Sequence, residues 1–301
     1  MSMKDYRRIR VLGGKGSRPD QFTEALRGIA VDRTGLIYAV GDREVKVFDA
    51  DGKLQRQWQT NRLGYCVAID DDGTVFVGEI GLVEKFDRSG KHLATWEDAD
   101  RLRVVTAIGF WGEFVLVADV GDRCLRRFDR SGKWLNNIGK DNRTRGFLVP
   151  NGYLDFSVDA NGIIHVSNPG KHRVERYTMT GELLGYFGRF GTRRPEDFPG
   201  CCNPTNLALT AQGHVVVTEK AGPRLKVYDP EGKLLALVGP EMFDANCKNM
   251  DVATDTEGRI YVVDTVRLNI QVFAPDTAKG KVDGETTGVS HSPAMLGAEE
   301  P

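Results

Sequence analysis

The sequence predicts an all-β fold, a six-bladed β-propeller with four antiparallel strands in each blade. Three observations lead to this prediction. Two alternating apolar runs around a polar turn recur six times, a third run follows each copy, and the last copy lacks a fourth run that the N-terminus can supply. Repeats of about 20–50 residues are typical of solenoids and propellers, and groups of four short strands are typical of propeller blades.

The first two strands of each blade come from the recurring pattern. Clear copies are GIAVDRTGLIYAV, CVAIDDDGTVFVG, YLDFSVDANGIIHVS, NLALTAQGHVVVT and MDVATDTEGRIYVV, and VVTAIGFWGEFVLVA is a looser one. Alternating runs joined by a turn that ends in glycine predict β-hairpins. The turn glycines are Gly35, Gly73, Gly112, Gly162, Gly213 and Gly258. Their spacings of 38, 39, 50, 51 and 45 residues define six units.

The third and fourth strands follow in the same order. The third runs are VKVF, VEKF, LRRF, VERY, LKVY and IQVF. In the first five units a turn rich in Asp, Ser and Gly leads to a fourth run: LQRQW, HLATW, WLNNIG, LLGYFG and LLALVG. No segment of useful length has a 3.6-residue apolar period, so a helical fold is excluded.

The sixth unit stops at Pro275, after its third strand. The N-terminal run RRIRVLG is similar to LLALVG, and we expect it to supply the missing fourth strand. Such a closure pairs the two ends of the ring and leaves no open edge between the first and last blades. The predicted domain spans residues 7–275 and favours a monomer, and the polar, Gly- and Pro-rich residues 276–301 are expected to be a mobile tail.

These residues resemble the NHL-repeat family of six-bladed propellers. The resemblance rests on GIAVDRTGLIYAV, on the acidic residues that end the second strands, and on the linkers GGKGSRPDQF and FGRFGTRRPEDF. Both linkers are similar to the G-x-x-G-x-x-P-x-x-F stretch between NHL blades. The resemblance implies an NHL-like fold. It leaves function open, because NHL-like propellers include enzymes, RNA-binding and protein-binding modules, and bacterial members without an assigned role.

Four of the five cysteines are predicted to lie on one rim of the central channel. Cys201 and Cys202 lie in FPGCCNPTNLALT, a stretch that departs from the usual repeat. Cys202 and Cys247 each stand eleven residues before the turn glycine of their unit, and Cys66 stands seven residues before its own. Thiolates bind zinc, copper(I) and iron–sulfur clusters. The leading hypothesis is therefore a metal ion or iron–sulfur cluster held by these four residues, with a redox, electron-transfer or metal-handling role.

Two other interpretations of the cysteines stay open. Buried cysteine behaves as a small apolar residue, so the positions could reflect packing alone, as we expect for Cys124. A redox-active disulfide between Cys201 and Cys202 is the second alternative, because Gly200 and Pro204 predict irregular backbone there. In regular strand the two side chains would point to opposite faces.

A polar rim on the same face is predicted to bind a protein or redox partner, which makes a non-catalytic protein- or peptide-binding scaffold an alternative function. The second strands end at Asp42, Glu79, Asp119, Asn168, Glu219 and Asp264. Basic residues follow closely at Arg43, Arg123, His172, Arg224 and Arg267. Opposite charges in one ring favour recognition of a polar surface.

A calcium-dependent lactonase-like hydrolase is a further alternative. Asp155, Asn206 and Asp251 stand seven residues before their turn glycines and open three consecutive inner strands. Their oxygens suit a hard ion such as Ca²⁺, and the arrangement is similar to that of calcium-dependent lactonase and phosphotriesterase propellers. Cys66 and Val105 occupy positions where a further acidic ligand would be wanted. Alternatively, Asp155, Asn206 and Asp251 cap the inner strands and bind no metal ion.

Composition excludes several classes. The formal net charge of −1 argues against binding nucleic acid, and no apolar run approaches the roughly 18 residues of a membrane span. The start, MSMKDYRRIR, contains no signal peptide, which predicts a cytoplasmic protein or an exported form whose leader has been removed. The five histidines lack zinc-site spacing, and neither a P-loop nor a GxSxG motif is present, so no catalytic residue is assigned.

Overall fold

The computed structural model describes residues 6–141 and 144–276 and confirms the six-bladed propeller. Six four-stranded antiparallel sheets are arranged around a central channel. Blade 1 contains β2 (Gly28–Val31), β3 (Ile37–Gly41), β4 (Glu44–Phe48) and β5 (Leu54–Gln59). Blade 2 contains β6 (Cys66–Ile69), β7 (Val75–Gly78), β8 (Leu82–Phe86) and β9 (His92–Glu97). Blade 3 contains β10 (Val105–Trp111), β11 (Phe114–Asp119), β12 (Cys124–Asp129) and β13 (Trp134–Ile138).

The remaining blades follow the same order from the channel outward. Blade 4 contains β14 (Phe156–Val158), β15 (Ile164–Asn168), β16 (Arg173–Tyr177) and β17 (Leu183–Phe187). Blade 5 contains β18 (Leu207–Leu209), β19 (Val215–Glu219), β20 (Arg224–Tyr228) and β21 (Leu234–Val238). Blade 6 contains β22 (Val252–Thr254), β23 (Ile260–Asp264), β24 (Asn269–Pro275) and β1 (Tyr6–Gly13). Two 3-10 helices span Pro169–Lys171 and Pro240–Met242.

The ring closes as predicted. Strand β1 pairs antiparallel with β24, from Tyr6 opposite Pro275 to Gly13 opposite Asn269. The first and last parts of the described chain therefore share one sheet, and the outermost strand of blade 6 comes from the N-terminus. The predicted tail lies outside the described residues, apart from Asp276. Within the described residues, no helix is long and apolar enough to cross a membrane.

Aspartates fix the turns between the third and fourth strands. In blade 1 the Asp49 Oδ1 accepts hydrogen bonds from the backbone N–H of Asp51 at 3.0 Å and of Lys53 at 2.9 Å. The turn then needs a left-handed residue, which Gly52 supplies with a φ of +83°. Asp87 and Asp129 make the same contacts in blades 2 and 3. This chemistry explains why turns rich in Asp, Ser and Gly predicted these hairpins.

Apolar side chains fill the spaces between neighbouring blades. Tyr38 and Val40 of blade 1 pack with Val67 and Val75 of blade 2, and all four are buried. Removing such surface from water stabilises the fold by about 25 cal/mol per Å². Because both faces of each sheet meet a neighbouring blade, the second strands read as continuous apolar runs in the sequence.

The two faces of the ring differ in what they carry. One face, here called the connector face, carries the loops between second and third strands and the described segments that link successive blades. These segments are 14–27, 60–65, 98–104, 139–141 with 144–155, 188–206 and 239–251. The opposite face, the hairpin face, carries the turns between first and second and between third and fourth strands. Both cysteines of the FPGCC segment lie on the connector face.

Candidate functional site

The connector from blade 4 to blade 5 brings the two adjacent cysteine sulfurs together. Gly200 has a φ of +78°, and the bond between Asn203 and Pro204 is cis, so this backbone is irregular, as predicted. The Sγ atoms of Cys201 and Cys202 lie 2.8 Å apart. Cys201 is exposed, whereas Cys202 is buried. The pair thus has one sulfur in solvent and one behind it.

Asn203 holds this loop against blade 5. Its Nδ2 donates to the carbonyl oxygens of Pro199 at 2.6 Å and Lys220 at 3.0 Å. Its Oδ1 accepts the Lys220 backbone N–H at 2.9 Å. A fully buried Asn with three hydrogen bonds fixes the conformation of the residues beside it. The cysteine pair is therefore held in place by its immediate neighbour in the sequence.

The two thiols have different electrostatic surroundings. A hydrogen bond from Cys202 lowers the pKa of Cys201, and the nearby positive charge of Lys220 acts in the same direction. Burial raises the pKa of Cys202, and its hydrogen bond to Cys201 adds to that effect. Since the thiolate is the nucleophilic form of cysteine, the exposed sulfur is the more reactive one.

The other two predicted ligands lie apart from this pair. The buried Cys247 donates a hydrogen bond from Sγ to Asp264 Oδ1 at 3.0 Å, and burial raises its pKa to about 11. Cys66 is buried with its Sγ 3.8 Å from the Val105 carbonyl oxygen, and burial raises its pKa as well. Across residues 6–141 and 144–276, no group of three or more His, Cys, Asp or Glu side chains is arranged to hold a metal ion. A metal or cluster bound by all four cysteines therefore stays a prediction.

Asp155 and Asp251 line the channel, and together with Asn206 they connect neighbouring inner strands. Asp155 Oδ2 accepts the Leu207 backbone N–H at 2.8 Å, and Asp251 Oδ2 accepts the Ile29 backbone N–H at 2.8 Å. Asn206 Nδ2 lies 3.4 Å from Asp251 Oδ1. Each aspartate thus joins its own blade to the next, which is the strand-capping role expected of these positions.

The two aspartates are desolvated, and within the described residues neither has a cationic partner. Desolvation raises the pKa of Asp251 to about 7. Desolvation is also the larger cause that raises the pKa of Asp155 well above its usual value, and the charge of the neighbouring Asp251 is the second cause. Asn206 Oδ1 is buried without a hydrogen-bond partner. Asp155 and Asp251 line a channel cavity of about 260 Å³ formed by all six inner strands. Two carboxylates and a free amide oxygen suit a hard cation, although Ca²⁺ needs about 6–8 oxygen ligands.

Aromatic and polar contacts cross the channel mouth on the connector face. The rings of Tyr65 and Tyr153, from blades 2 and 4, have centroids 6.2 Å apart, and the Arg27 guanidinium carbon lies 4.4 Å from the Tyr65 centroid. Asn151 Nδ2 donates to Asn249 Oδ1 at 2.9 Å, which joins blades 4 and 6. Since neither pair of blades is adjacent, these contacts cover the mouth above the aspartates.

Four of the six predicted rim residues, Asp42, Asp119, Asn168 and Asp264, hold the connectors of their own blades. Asp42 accepts the backbone N–H groups of Thr23, Glu24 and Ala25, and Asp119 accepts those of Val104 and Gly121. All except Asp42 are buried: Glu79, Asp119, Asn168, Glu219 and Asp264. These side chains are therefore built into the fold, and a role in binding a partner stays a prediction.

The predicted basic residues of the rim also make internal contacts. Arg43 donates to the Asn61 carbonyl oxygen at 2.5 Å and Arg123 to that of Arg145 at 3.0 Å. Arg224 lies 3.2 Å from Glu219, and Arg267 lies 3.5 Å from Asp264. The ring of His172 meets Phe190 edge-on at 5.0 Å. Most of the rim groups are thus paired, whereas both carboxylate oxygens of Glu79 are buried without a hydrogen-bond partner.

Sequence reasoning missed the buried cations that pair with the rim acids. Arg126 Nη2 lies 3.0 Å from Asp119 Oδ2, and Lys226 Nζ lies 2.5 Å from Glu219 Oε1. Lys226 also donates to the Asp197 carbonyl oxygen at 2.6 Å. The signal was present in the sequence as a polar residue, charged in five of the six blades, at the third position of each third strand. In the six blades these residues are Lys46, Glu84, Arg126, Glu175, Lys226 and Gln271.

Comparisons with known proteins agree with the fold. No family model and no curated protein sequence matches the chain. Among solved structures, virginiamycin B lyase from Staphylococcus aureus is 11% identical with a TM-score of 0.63, covering 90% of this chain and 99% of that one. The WD40 β-propeller domain of Doa1 is 12% identical with a TM-score of 0.60, covering 84% and 80%.

A protein of unknown function from Bacteroides thetaiotaomicron VPI-5482 is also similar. It is 16% identical, its TM-score is 0.68, and the match covers 90% of this chain and 76% of that one. One fold can carry unrelated functions, because function depends on the residues of the site. At these identities the likeness establishes a β-propeller and leaves the NHL family membership as a resemblance.

Proposed function

We propose that this chain is a thiol redox protein whose reactive group is the Cys201–Cys202 pair on the connector face. The observation that supports this proposal is the pairing itself: two sulfurs 2.8 Å apart, one exposed and one buried. An accessible thiol with a lowered pKa beside a second thiol is the arrangement that thiol–disulfide exchange needs.

The chemistry balances with a disulfide as the oxidant. The Cys201 thiolate attacks one sulfur of a small-molecule or protein disulfide, forms a mixed disulfide and expels one thiolate. Cys202 then loses its proton and attacks the Cys201 sulfur, which closes the Cys201–Cys202 bond and expels the second thiolate. The substrate gains two electrons and the pair loses them. A donor dithiol reverses both steps.

The surroundings of the pair suit both steps. Lys220 favours the thiolate of Cys201 and also lies close to Cys202. Asn203 keeps the loop in one conformation, so the resolving sulfur stays beside the attacked one. A bond between adjacent residues is strained, because disulfides usually join Cα atoms about 4.4–6.8 Å apart and neighbouring Cα atoms are about 3.8 Å apart. Strained disulfides are readily reduced, which favours cycling.

The test is a redox titration in buffers of graded reduced and oxidised glutathione. After acid quenching, free thiols are alkylated with a maleimide and counted by mass spectrometry. We expect two thiols to be lost together in the wild type and no paired loss in Cys201→Ser. In Cys202→Ser we expect a stable glutathione adduct on Cys201, because the resolving thiol is gone.

Cys124→Ser is the matched control, because Cys124 is fully buried in β12 and should leave the titration unchanged. Five alkylatable thiols at every glutathione ratio would contradict the proposal, as would paired loss in Cys201→Ser. Elemental analysis of protein purified without oxygen tests the metal hypothesis on the same material. Near-stoichiometric iron, zinc or copper that is lost in Cys202→Ser would replace redox exchange by metal binding as the function.

A protein-binding scaffold is a second candidate function, favoured by exposed apolar side chains on the connector face. Ile80, Phe190 and Val266 are 47%, 61% and 39% exposed, and Phe190 belongs to the same connector as the cysteines. Exposed apolar groups rimmed by charges are typical of protein-interaction sites. A partner captured by the wild type but not by Phe190→Asp would support this function, and equal capture by both would contradict it.

A further inference from the structure

A polar row of residues lies across blade 4, where the other blades are largely apolar. Ser157, His165 and Arg176 stand directly opposite one another on β14, β15 and β16. Side chains of directly opposed residues share one face of a sheet. The three side chains therefore lie on the same face of blade 4.

The corresponding rows of the other five blades contain no such group. They are Ala30, Tyr38 and Val47; Ala68, Phe76 and Lys85; Gly109, Leu116 and Arg127; Ala208, Val216 and Val227; and Ala253, Tyr261 and Val272. The middle residue always packs in the apolar cluster shared with the next blade. Within the described strands, only blade 4 has a histidine at the middle position, and only its row is polar at all three positions.

The polar row faces a cavity between blades 4 and 5. This cavity has a volume of about 740 Å³ and opens on the hairpin face, at the end of the channel away from the cysteines. Its walls include the three residues of the row, Thr210 and Gln212 of blade 5, and the hairpin turns of blades 1 and 6. The apolar cluster between blades 4 and 5 lies elsewhere in that interface and excludes His165.

His165 presents an unused nitrogen in this cavity. Its side chain is 4% exposed, and its Nε2 lies 3.4 Å from Asp159 Oδ2. Burial lowers the pKa of His165, so the ring is neutral at pH 7. A neutral imidazole has one N–H and one lone pair. Because the Asp159 carboxylate takes the N–H of Nε2, Nδ1 keeps the lone pair, and it has no partner.

Arg176 supplies an unpaired positive charge to the same wall. Its Nε is buried without a hydrogen-bond partner, and within the described residues no carboxylate lies within 4.0 Å of its guanidinium. The two acidic residues Asp255 and Asp32, which also line the cavity, do not pair with Arg176. Asp255 Oδ2 binds Arg259 at 2.5 Å and the Tyr261 hydroxyl at 2.9 Å, whereas Asp32 Oδ2 is buried without a partner.

We propose that this cavity binds a small organic anion that carries hydroxyl groups. Arg176 would bind its carboxylate or phosphate, and the His165 Nδ1 lone pair and Asp32 Oδ2 would accept hydrogen bonds from its hydroxyls. An unpaired arginine binds such oxyanions strongly, through charge-assisted and often bidentate hydrogen bonds. Buried polar atoms without partners are costly, and a ligand that satisfies them recovers that free energy. The proposal does not depend on the redox function of the other face.

The test is isothermal titration calorimetry with three probes: D-gluconate as a carboxylate, D-glucose 6-phosphate as a phosphate, and neutral D-glucose. We expect at least one of the two anions to bind the wild type at millimolar concentration and D-glucose to bind far more weakly. Which anion binds distinguishes the carboxylate from the phosphate. In Arg176→Gln we expect affinity to fall about tenfold or more, because a charge-assisted hydrogen bond is lost.

Arg127→Gln is the matched control, since Arg127 holds the same position in blade 3 but lies over the Phe114 ring, 4.5 Å from its centroid. It should bind as the wild type does. If Arg176→Gln does not fold, His165→Gln tests the same wall and should also weaken binding. Absence of binding by both anions would overturn the proposal, and so would equal affinity in the wild type and Arg176→Gln.

Discussion

Two sets of buried polar groups, the ion pairs of Arg126 and Lys226 on one face of the propeller and the polar row of blade 4 toward the other, are treated in opposite ways. On the connector face, Asp119 is paired with Arg126 and Glu219 with Lys226. On the hairpin face, between blades 4 and 5, Arg176 and His165 keep nitrogens without partners. Matched buried charges hold the fold together, whereas unmatched ones lower stability and are retained where they serve a ligand. The comparison predicts that mutations on the two faces change stability with opposite signs.

The largest expected effect comes from breaking a matched pair. In Lys226→Met we expect a loss of about 3 kcal/mol of unfolding free energy, because a buried Glu219 keeps only Arg224 at 3.2 Å as its partner. Urea denaturation at pH 7 measures this loss. Lys85→Met is the control, because Lys85 is partly exposed and packs over the Phe76 ring. Equal losses in the two variants would contradict a special role for the buried pair.

The channel aspartates give an effect of similar size, and it depends on pH. Desolvation raises the pKa of Asp251 to about 7, so between about pH 4 and pH 7 the folded protein holds a proton that the unfolded chain releases. Stability from this group is therefore present at low pH and is lost as pH rises toward 7. In Asp251→Asn we expect this loss to disappear, which gives a gain of up to about 4 kcal/mol at pH 8 over the wild type and little change at pH 4.

The local structure can accommodate that substitution. The Asn oxygen can accept the Ile29 N–H, and Asn206 Oδ1, which has no partner, can accept from the new amide. Thermal unfolding from pH 4 to pH 8 measures the difference between wild type and variant. A constant difference across this range would show that Asp251 does not titrate there. A rise in wild-type stability on addition of calcium at pH 8, absent in Asp251→Asn, would support the calcium site.

The fold could be predicted from the sequence because each hairpin is encoded locally. An aspartate that accepts two backbone N–H groups and a glycine with positive φ form each turn of the Asp49–Gly52 kind, and both residues are visible in the sequence. The closure by β1 was predictable for a related reason, since its apolar pattern matches that of other fourth strands. Local signals and one repeat were sufficient for the architecture.

The candidate sites were less predictable because they depend on side-chain directions across blades. Counting from the turn glycines placed Cys202 and Cys247 at equivalent positions, but Cys247 turns to Asp264 while Cys202 faces its neighbour Cys201. The rim acids were correctly located at the ends of second strands, yet their burial depends on connectors whose lengths differ. The row in blade 4 was detectable in the sequence only by aligning strand positions, where His165 replaces an apolar residue.

Restoring the apolar row of blade 4 should stabilise the free protein by about 1 kcal/mol. The triple variant Ser157→Ala, His165→Val and Arg176→Val copies the row of blade 5, and it removes buried polar atoms that have no partner. Chemical denaturation without ligand measures the gain. A loss of several kcal/mol would mean that the polar row supports the fold, and the contrast between the two faces would then fail.

The smallest expected effect concerns the exposed thiol. Cys201→Ser should change the free energy of unfolding by no more than about 0.5 kcal/mol, because its side chain is in solvent and surface substitutions rarely matter more. Cys124→Ser is the contrast: that side chain is fully buried, and an added hydroxyl there should cost about 1–3 kcal/mol. Denaturation under reducing conditions compares the two. A cost at Cys201 as large as that at Cys124 would make the thiol a structural group, and the asymmetry between the exposed and the buried sulfur would no longer argue for redox exchange.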